Sequence, residues 1–221
     1  MPSLYHYASR APMKIRKVFF PARAERLHIG SGPQRLDGWI NIDNVKYPGV
    51  DRVLDVTHGL PYRDVRFIFA EHFIEHLSLN EVMYLLRECR RVLTDDGVLR
   101  LSTPNLDWVW ASHYELGSEG DDAARTCFLL NRAFRGWGHQ FLYNIEVLRG
   151  LLLDAGFADV VVCAYGESTH PELRNLERHE RSEDFEGLAD ILVVEASGRG
   201  AGAPPYFSRW RHEFLHALGA K

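Results

Sequence analysis

The chain has 221 residues, 46% of them hydrophobic and 25% charged, with 26 Lys+Arg against 30 Asp+Glu for a net charge of -4. A chain of this size closes one core without disulfide or metal staples, and its mildly acidic balance excludes a dedicated nucleic-acid binder. No apolar run reaches the roughly 18 residues needed to cross a bilayer, and Cys89, Cys127 and Cys163 are odd in number and far apart, so free, buried thiols in a cytoplasmic protein are expected.

Residues 1–25 read as an N-terminal arm. Met1 to Ala24 holds no acid, carries Arg10, Lys14, Arg16, Lys17 and Arg23, and adds Tyr5, Tyr7, Phe19 and Phe20. From Arg26 onward short apolar runs alternate with helical patterns. Arg26 to Gly30, Trp39 to Asp43, Arg52 to Asp55 and Val65 to Ala70 read as buried strands. Leu79 to Leu93 reads as a helix with Val82, Leu85, Leu86, Cys89 and Leu93 on one face, stopped by Asp95-Asp96-Gly97. Val98 to Ser102 is the next strand, and a further unit follows: a helix from Ile145 to Ala155, a strand from Phe157 to Tyr165, and a last strand from Ile191 to Val194. Strands separated by helices imply an α/β fold with an open, mostly parallel sheet, whose ligands bind at the carboxyl ends of the strands.

Two segments fall outside that rhythm. Residues 105–144, rich in Trp, His, Tyr and Arg, are too long for a connector and read as a partly helical lid or acceptor-binding insertion. Residues 198–221 read as a Gly- and Pro-rich linker and a helix near Tyr206 to Leu218 that docks on the domain or on a second subunit of a homodimer. The catalytic or binding domain is thus residues 26–197.

The chemistry is carried by strand ends. Leu27-His28-Ile29-Gly30-Ser31-Gly32-Pro33 closes the first strand in Gly-x-Gly, which lets the backbone approach a ligand and present N–H groups to it. Asn41-Ile42-Asp43-Asn44 places an acid at the next strand end, where it can accept from ribose hydroxyls. A dinucleotide fingerprint has a third Gly and an acid about 20 residues on. Here Pro33 replaces that Gly and Asp43 follows Gly32 by only 11 residues, so the pattern suits a cofactor with a ribose and no pyrophosphate.

These motifs resemble the class I S-adenosylmethionine-dependent methyltransferases, and within them the small type 11 group that accompanies bacterial surface-polysaccharide enzymes. The resemblance runs from about Arg26 to Glu195. It implies a Rossmann-like, mostly parallel seven-stranded sheet flanked by helices, with S-adenosyl-L-methionine as cofactor. Gly30, Ser31 and Gly32 would then border the methionine and ribose parts, and Asp43 with Asn44 would meet the ribose. Asp55-Val56 would stand on the adenine side, and Glu71 and His72, from "FIFAEHFIEHL", near the reacting methyl. The implied reaction is methyl transfer to a small-molecule or sugar hydroxyl.

A hydroxyl acceptor benefits from a nearby base. His139, beside Trp137 and Tyr143 in "RGWGHQFLYN", is the first candidate and His72 the second. Trp110, His113, Trp137, Tyr143 and Glu167 are the candidate acceptor-binding residues, although for Trp110 and His113 packing of the lid is the favoured reading. Two other classes stay open. One is a non-catalytic cofactor-binding scaffold, because His28 and Pro33 depart from the family pattern. The other is a zinc hydrolase, because His72-Phe73-Ile74-Glu75-His76 matches an inverted zincin motif with Glu146 as a third ligand. That motif needs a helix, whereas here it follows a buried strand, so no metal is assigned and Glu75 and His76 are expected to cap or anchor the next helix.

Overall fold

The computed structural model describes residues 22–219. The expected N-terminal arm therefore lies outside the described residues up to position 21. The elements in chain order are β1 (Ala22–Arg23), β2 (Arg26–Ile29), β3 (Ile40–Asp43), β4 (Arg52–Val53), β5 (Tyr62–Arg63), β6 (Val65–Glu71) and α1 (Leu79–Val92). They continue with β7 (Leu93–Pro104), α2 (Leu106–His113), α3 (Gly120–Arg135), α4 (Ile145–Asp154), β8 (Asp159–Cys163), β9 (Ile191–Ser197) and α5 (Pro205–Ala217). Seven strands form one sheet in the order β4-β3-β2-β6-β7-β9-β8, while β1 and β5 pair separately. The pairs from β4 across to β7 are parallel, and β9 runs antiparallel to both β7 and β8. The chain steps outward from β2 to β4 and returns to β6 on the other side of β2. That reversal opens a crevice at the carboxyl ends of β2 and β6.

Because side chains alternate across a strand, each strand feeds two different layers. Leu27 and Ile29 of β2, Ile68 and Ala70 of β6, and Leu99 and Leu101 of β7 join the main core with α1, α4 and Phe207 of α5. Helix α1 presents Val82, Leu85, Leu86, Cys89 and Val92 to that core. Its start is set by a capping box in which Ser78 accepts from the Glu81 amide and the Glu81 carboxylate reaches back to the Ser78 N–H. Ser78 is therefore the cap that was expected of Glu75 and His76. No turn intervenes after α1. Residues Thr94 to Gly97 bulge out of β7, between the pairs Val65 with Leu93 and Phe67 with Val98.

The opposite face carries His28, Phe67, Phe69 and Arg100, and it is covered by loops. The segment between β2 and β3, a helix in most doubly wound sheets, contains none. Asn41, fully buried, supplies what a helix would have supplied internally. Its Oδ1 accepts from the Leu36 N–H at 2.8 Å and lies 3.0 Å from His28 Nδ1. Its Nδ2 reaches the carbonyls of Leu36 and Trp39, each at 3.1 Å, and Asp51 Oδ2 at 2.9 Å. Asp51 also accepts from the Asn41 N–H, and these bonds hold its carboxyl down at about 2. His28 thus belongs to this polar hub, stacked 5.4 Å from Phe69.

The rest of that face is closed by residues 164–190, tethered by a fully buried Arg100. Its Nε donates to Glu177 and its Nη1 to Glu195, both at 2.7 Å, and Nη1 also donates to the Glu167 carbonyl at 2.9 Å. Burial acts to lower the Arg100 pKa, but the bonds and charges of Glu177 and Glu195 outweigh it and hold it above its ordinary value.

The C-terminal helix docks on the domain itself. The Phe207 ring lies so close to Gly150 that a Cβ there would sit 2.3 Å from it, and Arg211 pairs with Asp154. Of the cysteines expected to be buried, only Cys89 is; Cys163 is half-buried and Cys127 exposed on α3. No helix of the described residues is long and apolar enough to cross a membrane.

Two stability effects follow. Replacing Asn41 with Leu strands the Leu36 and Trp39 polar groups and is expected to cost about 3 kcal/mol in urea unfolding; a loss under about 1 kcal/mol would show that solvent reaches those groups. Arg100→Met leaves two buried carboxylates without their cation and is expected to cost about 3–5 kcal/mol. Adding Glu177→Gln and Glu195→Gln to Arg100→Met should recover much of that loss.

Candidate cofactor and acceptor site

Strand register builds the first part of the site. Ile29 pairs with Ile42 on one side and with Ala70 on the other, so the next residues, Gly30, Asp43 and Glu71, end three neighbouring strands in one row. Gly30 takes a positive φ of 66°, and a Cβ there would lie 2.3 Å from the Phe73 ring, so the loop can pass only as glycine. The Ser31 N–H donates to the Ile42 carbonyl and extends the ladder by one bond, leaving Ser31 buried. Asp43 then joins the two loops: its Oδ2 accepts from the Gly32 N–H and its Oδ1 from the Val45 N–H, each at 2.8 Å. Each oxygen keeps a further lone pair for a hydroxyl ligand. Asn44 beside it is exposed.

The adenine-side candidates differ in availability. Asp55 Oδ1 caps a short helical turn, accepting from the Thr57 N–H at 3.0 Å and the Thr57 hydroxyl at 2.6 Å, while Oδ2 lies 3.2 Å from His58 Nδ1. Val56 is buried in that turn. What this turn offers a base is therefore mainly its backbone and its apolar surface.

The second part of the site is a group of histidines and glutamates beyond β6. Glu71 Oε1 and Oε2 both accept from the Arg178 N–H, and Oε1 also accepts from the His179 N–H. His179 Nδ1 lies 3.3 Å from Glu71 Oε1, and this contact raises the His179 pKa against the opposing effect of burial. Burial acts to raise Glu71, but the bonds from His179 and from the two amides outweigh it and hold the carboxyl below its usual range. His72, held at a positive φ of 46°, stacks on His179 with ring centroids 4.0 Å apart. Burial first, and the neighbouring His179 second, push His72 down to about 3, so it is neutral at physiological pH.

Glu75 is fully buried, accepts from the Thr103 hydroxyl at 3.0 Å, and is pushed up to about 7 by burial. His76 is lowered to about 4, chiefly by burial. His139 meets His76 edge-on at 5.1 Å, and its Nδ1 lies 2.8 Å from the Ala133 carbonyl. The loop that carries it is fastened to the turn beneath, since the Gln140 N–H donates to the Glu75 carbonyl at 2.7 Å and its Nε2 to that of His76 at 2.6 Å. Residues Ile74–His76 form one short 3-10 turn directly after the strand, so the inverted-zincin pattern is not displayed on a helix.

The acceptor candidates separate. Trp110 is half exposed on α2 and stacks on Tyr114, and His113 packs edge-on against Trp108. Trp137 is also half exposed, with Arg132 over its ring at 4.9 Å. Tyr143 is a correction: it is fully buried and its hydroxyl donates to the Ile74 carbonyl, so it anchors the turn under the histidines and cannot meet an acceptor. Glu167 contributes its carbonyl to Arg100 while its side chain stays exposed. Residues 105–144 are partly helical as expected, with α2 and α3. His179 is the residue that sequence reasoning left unassigned. It stands 108 positions from Glu71, and no spacing signal announces a pair that distant.

No family model matches the chain, so its likeness to the type 11 group rests on its motifs alone. Two sequences from different strains of Mycobacterium tuberculosis, each described as a probable S-adenosylmethionine-dependent methyltransferase, are 32% identical to it over 162 residues, covering 72% of this chain and 48% of the relative. The chain thus spans about half the length of these relatives. A solved S-adenosylmethionine-dependent methyltransferase from Archaeoglobus fulgidus is 15% identical and superposes with a TM-score of 0.52, covering 80% of this chain and 87% of that one; at that identity the likeness is one of fold. Sheet order, motif order and sequence likeness agree: the chain has the fold of the class I S-adenosylmethionine-dependent methyltransferases and is similar to them in sequence.

Proposed function

We propose that this chain binds S-adenosylmethionine across the carboxyl ends of β2 and β3 and transfers its methyl group to a hydroxyl of a small molecule or sugar. The observation that carries the reading is the row of Gly30, Asp43 and Glu71, with Asp43 bonded to the Gly32 amide so that glycine loop and acid form one rigid cradle. In this reading Asp43 accepts from the ribose hydroxyls, Gly30 to Gly32 pass beneath the methionine and ribose, and the Asp55–Val56 turn flanks the adenine.

Methyl transfer forms an oxygen–carbon bond as the carbon–sulfur bond breaks, its electron pair going to sulfur, and the hydroxyl proton leaves to a base. The chain supplies alignment, worth up to about 7–11 kcal/mol, and a base worth about 10²–10⁴-fold. Of the two histidines that the sequence nominates, His72 is desolvated into a very weak base, and His139, packed on His76, is also lowered by burial. His179 fits better. Its Nδ1 faces the Glu71 carboxylate, which orients the ring and raises its basicity, and it is half exposed. A carboxylate behind an imidazole fixes the tautomer that leaves Nε2 free to take a proton. The cytoplasmic, glycan-directed setting suggested by the sequence motifs belongs to this same proposal.

The competing reading, a cofactor-binding scaffold without turnover, is favoured by the loss of the helix after the glycine loop. Two measurements separate them. Asp43→Ala is expected to weaken S-adenosylhomocysteine binding at least about tenfold by titration calorimetry, and an unchanged affinity would overturn the cradle. His179→Ala should retain that affinity but lose about 10²-fold or more in kcat/KM over a panel of hydroxylated acceptors. Because a base must be unprotonated to act, the wild-type rate should climb with pH through a pKa above the ordinary histidine value, and the variant should lack that limb. A larger loss in His139→Ala would move the base to His139, and cofactor binding without turnover on any acceptor would leave the scaffold.

A further inference from the structure

We infer that Glu75, His76 and His139 form a binding site for one divalent transition-metal ion of the zinc class. One ligand atom from each of the three lies within 4.8 Å of the others. A tetrahedral zinc ion with bonds of about 2.0–2.2 Å holds its ligands roughly 3.4 Å apart. Closing the present spacing takes about an ångström of side-chain movement, within the reach of a histidine rotation.

Three features mark the cluster as more than accidental proximity. Glu75 Oε2 is held by the Thr103 hydroxyl, but Oε1 is buried and has no hydrogen-bond donor. The neighbouring His72 Nδ1 lies 3.4 Å away and makes no hydrogen bond to it. A buried carboxylate oxygen in that position is costly unless a proton or a cation joins it. Secondly, the 2.8 Å contact of His139 Nδ1 with the Ala133 carbonyl selects the tautomer whose Nε2 carries the lone pair. A backbone carbonyl behind the non-ligating nitrogen is the usual outer-shell support of a metal-bound histidine. Thirdly, the two segments that supply the ligands are already locked together: the Gln140 N–H and Nε2 bond the carbonyls of Glu75 and His76, and the Tyr143 hydroxyl bonds that of Ile74. The site therefore needs no loop closure to form.

The donor set selects the metal. Two imidazoles and one carboxylate favour zinc, cobalt or nickel over magnesium or calcium, which prefer oxygen ligands. Three protein ligands leave a fourth position open to water or to an acceptor oxygen. These ligands are not those of the zincin pattern: His72 is replaced by His139, and Glu146 takes no part.

The test uses the full chain freed of metal by chelator and then titrated with zinc by calorimetry and with cobalt by visible absorption. One ion per chain, a cobalt spectrum of tetrahedral type, and a rise in Tm on zinc addition are expected, with no competition from excess magnesium. His76→Ala and His139→Ala should each weaken binding about tenfold or more. The His212→Ala/His216→Ala pair, which removes an exposed histidine pair on α5, should leave it unchanged. The proposal is overturned if wild type binds no more tightly than the His76→Ala/His139→Ala double variant, or if only the α5 pair abolishes binding, which would mark an adventitious surface ion. Circular dichroism of each variant shows whether its fold is intact. Should His139→Ala unfold the chain, Glu75→Gln, which keeps the Thr103 contact, provides the same comparison. The metal readouts do not depend on methyl transfer, so this inference and the proposed activity stand or fall separately.

Discussion

The buried Arg100 is the interaction on which the second face of this molecule depends. One guanidinium in the middle of β7 gathers a carboxylate from β9, a carboxylate from the segment 164–190 and a backbone carbonyl from that same segment. A lone cation at that depth would be intolerable, and two carboxylates without it equally so. Each group can be buried only because the others are. The ion cluster therefore fixes where the loop lies, and the loop in turn brings Leu173 and Leu176 onto Phe67 and Phe69. It also delivers the amides of Arg178 and His179 to Glu71. The Glu71–His179 pair at the strand ends is thus positioned by a structural ion cluster inside the sheet.

The same logic governs the other half of the sheet. With only 10 residues between β2 and β3 there is no room for a helix to satisfy its own backbone and cover Phe69. The Asn41 side chain takes over the hydrogen bonding, and Leu36 and Trp39 take over the apolar covering. This economy leaves the glycine loop unsupported by a helix N-terminus. Asp43, bonded to the Gly32 and Val45 amides, supplies the rigidity instead. A cradle of that kind suits a ligand bound through hydroxyls better than one bound through phosphates, which would call on the helix dipole.

How much of this was legible depended on the range of the interaction. The strands, the helix Leu79 to Leu93 and the docking helix at the C-terminus are written in local periodicity, and they stand within a few residues of where the pattern puts them. The open, mostly parallel sheet follows from the alternation of those elements, and its seven strands from what the family resemblance implies. Asp43 stands at the end of β3, where the sequence puts it, because short strands place strand-end residues predictably. The helix cap was misassigned because two signals overlapped: Glu75 and His76 precede the helix, but Ser78 with Glu81 forms the reciprocal pair that a helix start requires. Tyr143 looked like a loop aromatic near an acceptor. Its ring turns inward because its hydroxyl finds the Ile74 carbonyl, a contact across 69 positions.

The histidines make the same division most clearly. The motifs nominate His72 at a strand end and His139 in a loop. By itself the sequence determined the fold class and the elements that build it, and it nominated the residues of the proposed cradle, because those depend on side-chain alternation, helix periodicity and glycine conformation, all properties of neighbours along the chain. Only the tertiary structure decided that His28 is a scaffold residue bonded to Asn41, that His179 stands against Glu71, and that His139 joins His76 and Glu75. Those partnerships rest on burial and on contacts between distant segments. Whether a carboxylate or an imidazole is buried, paired or left with an unfilled lone pair is set by what folds over it.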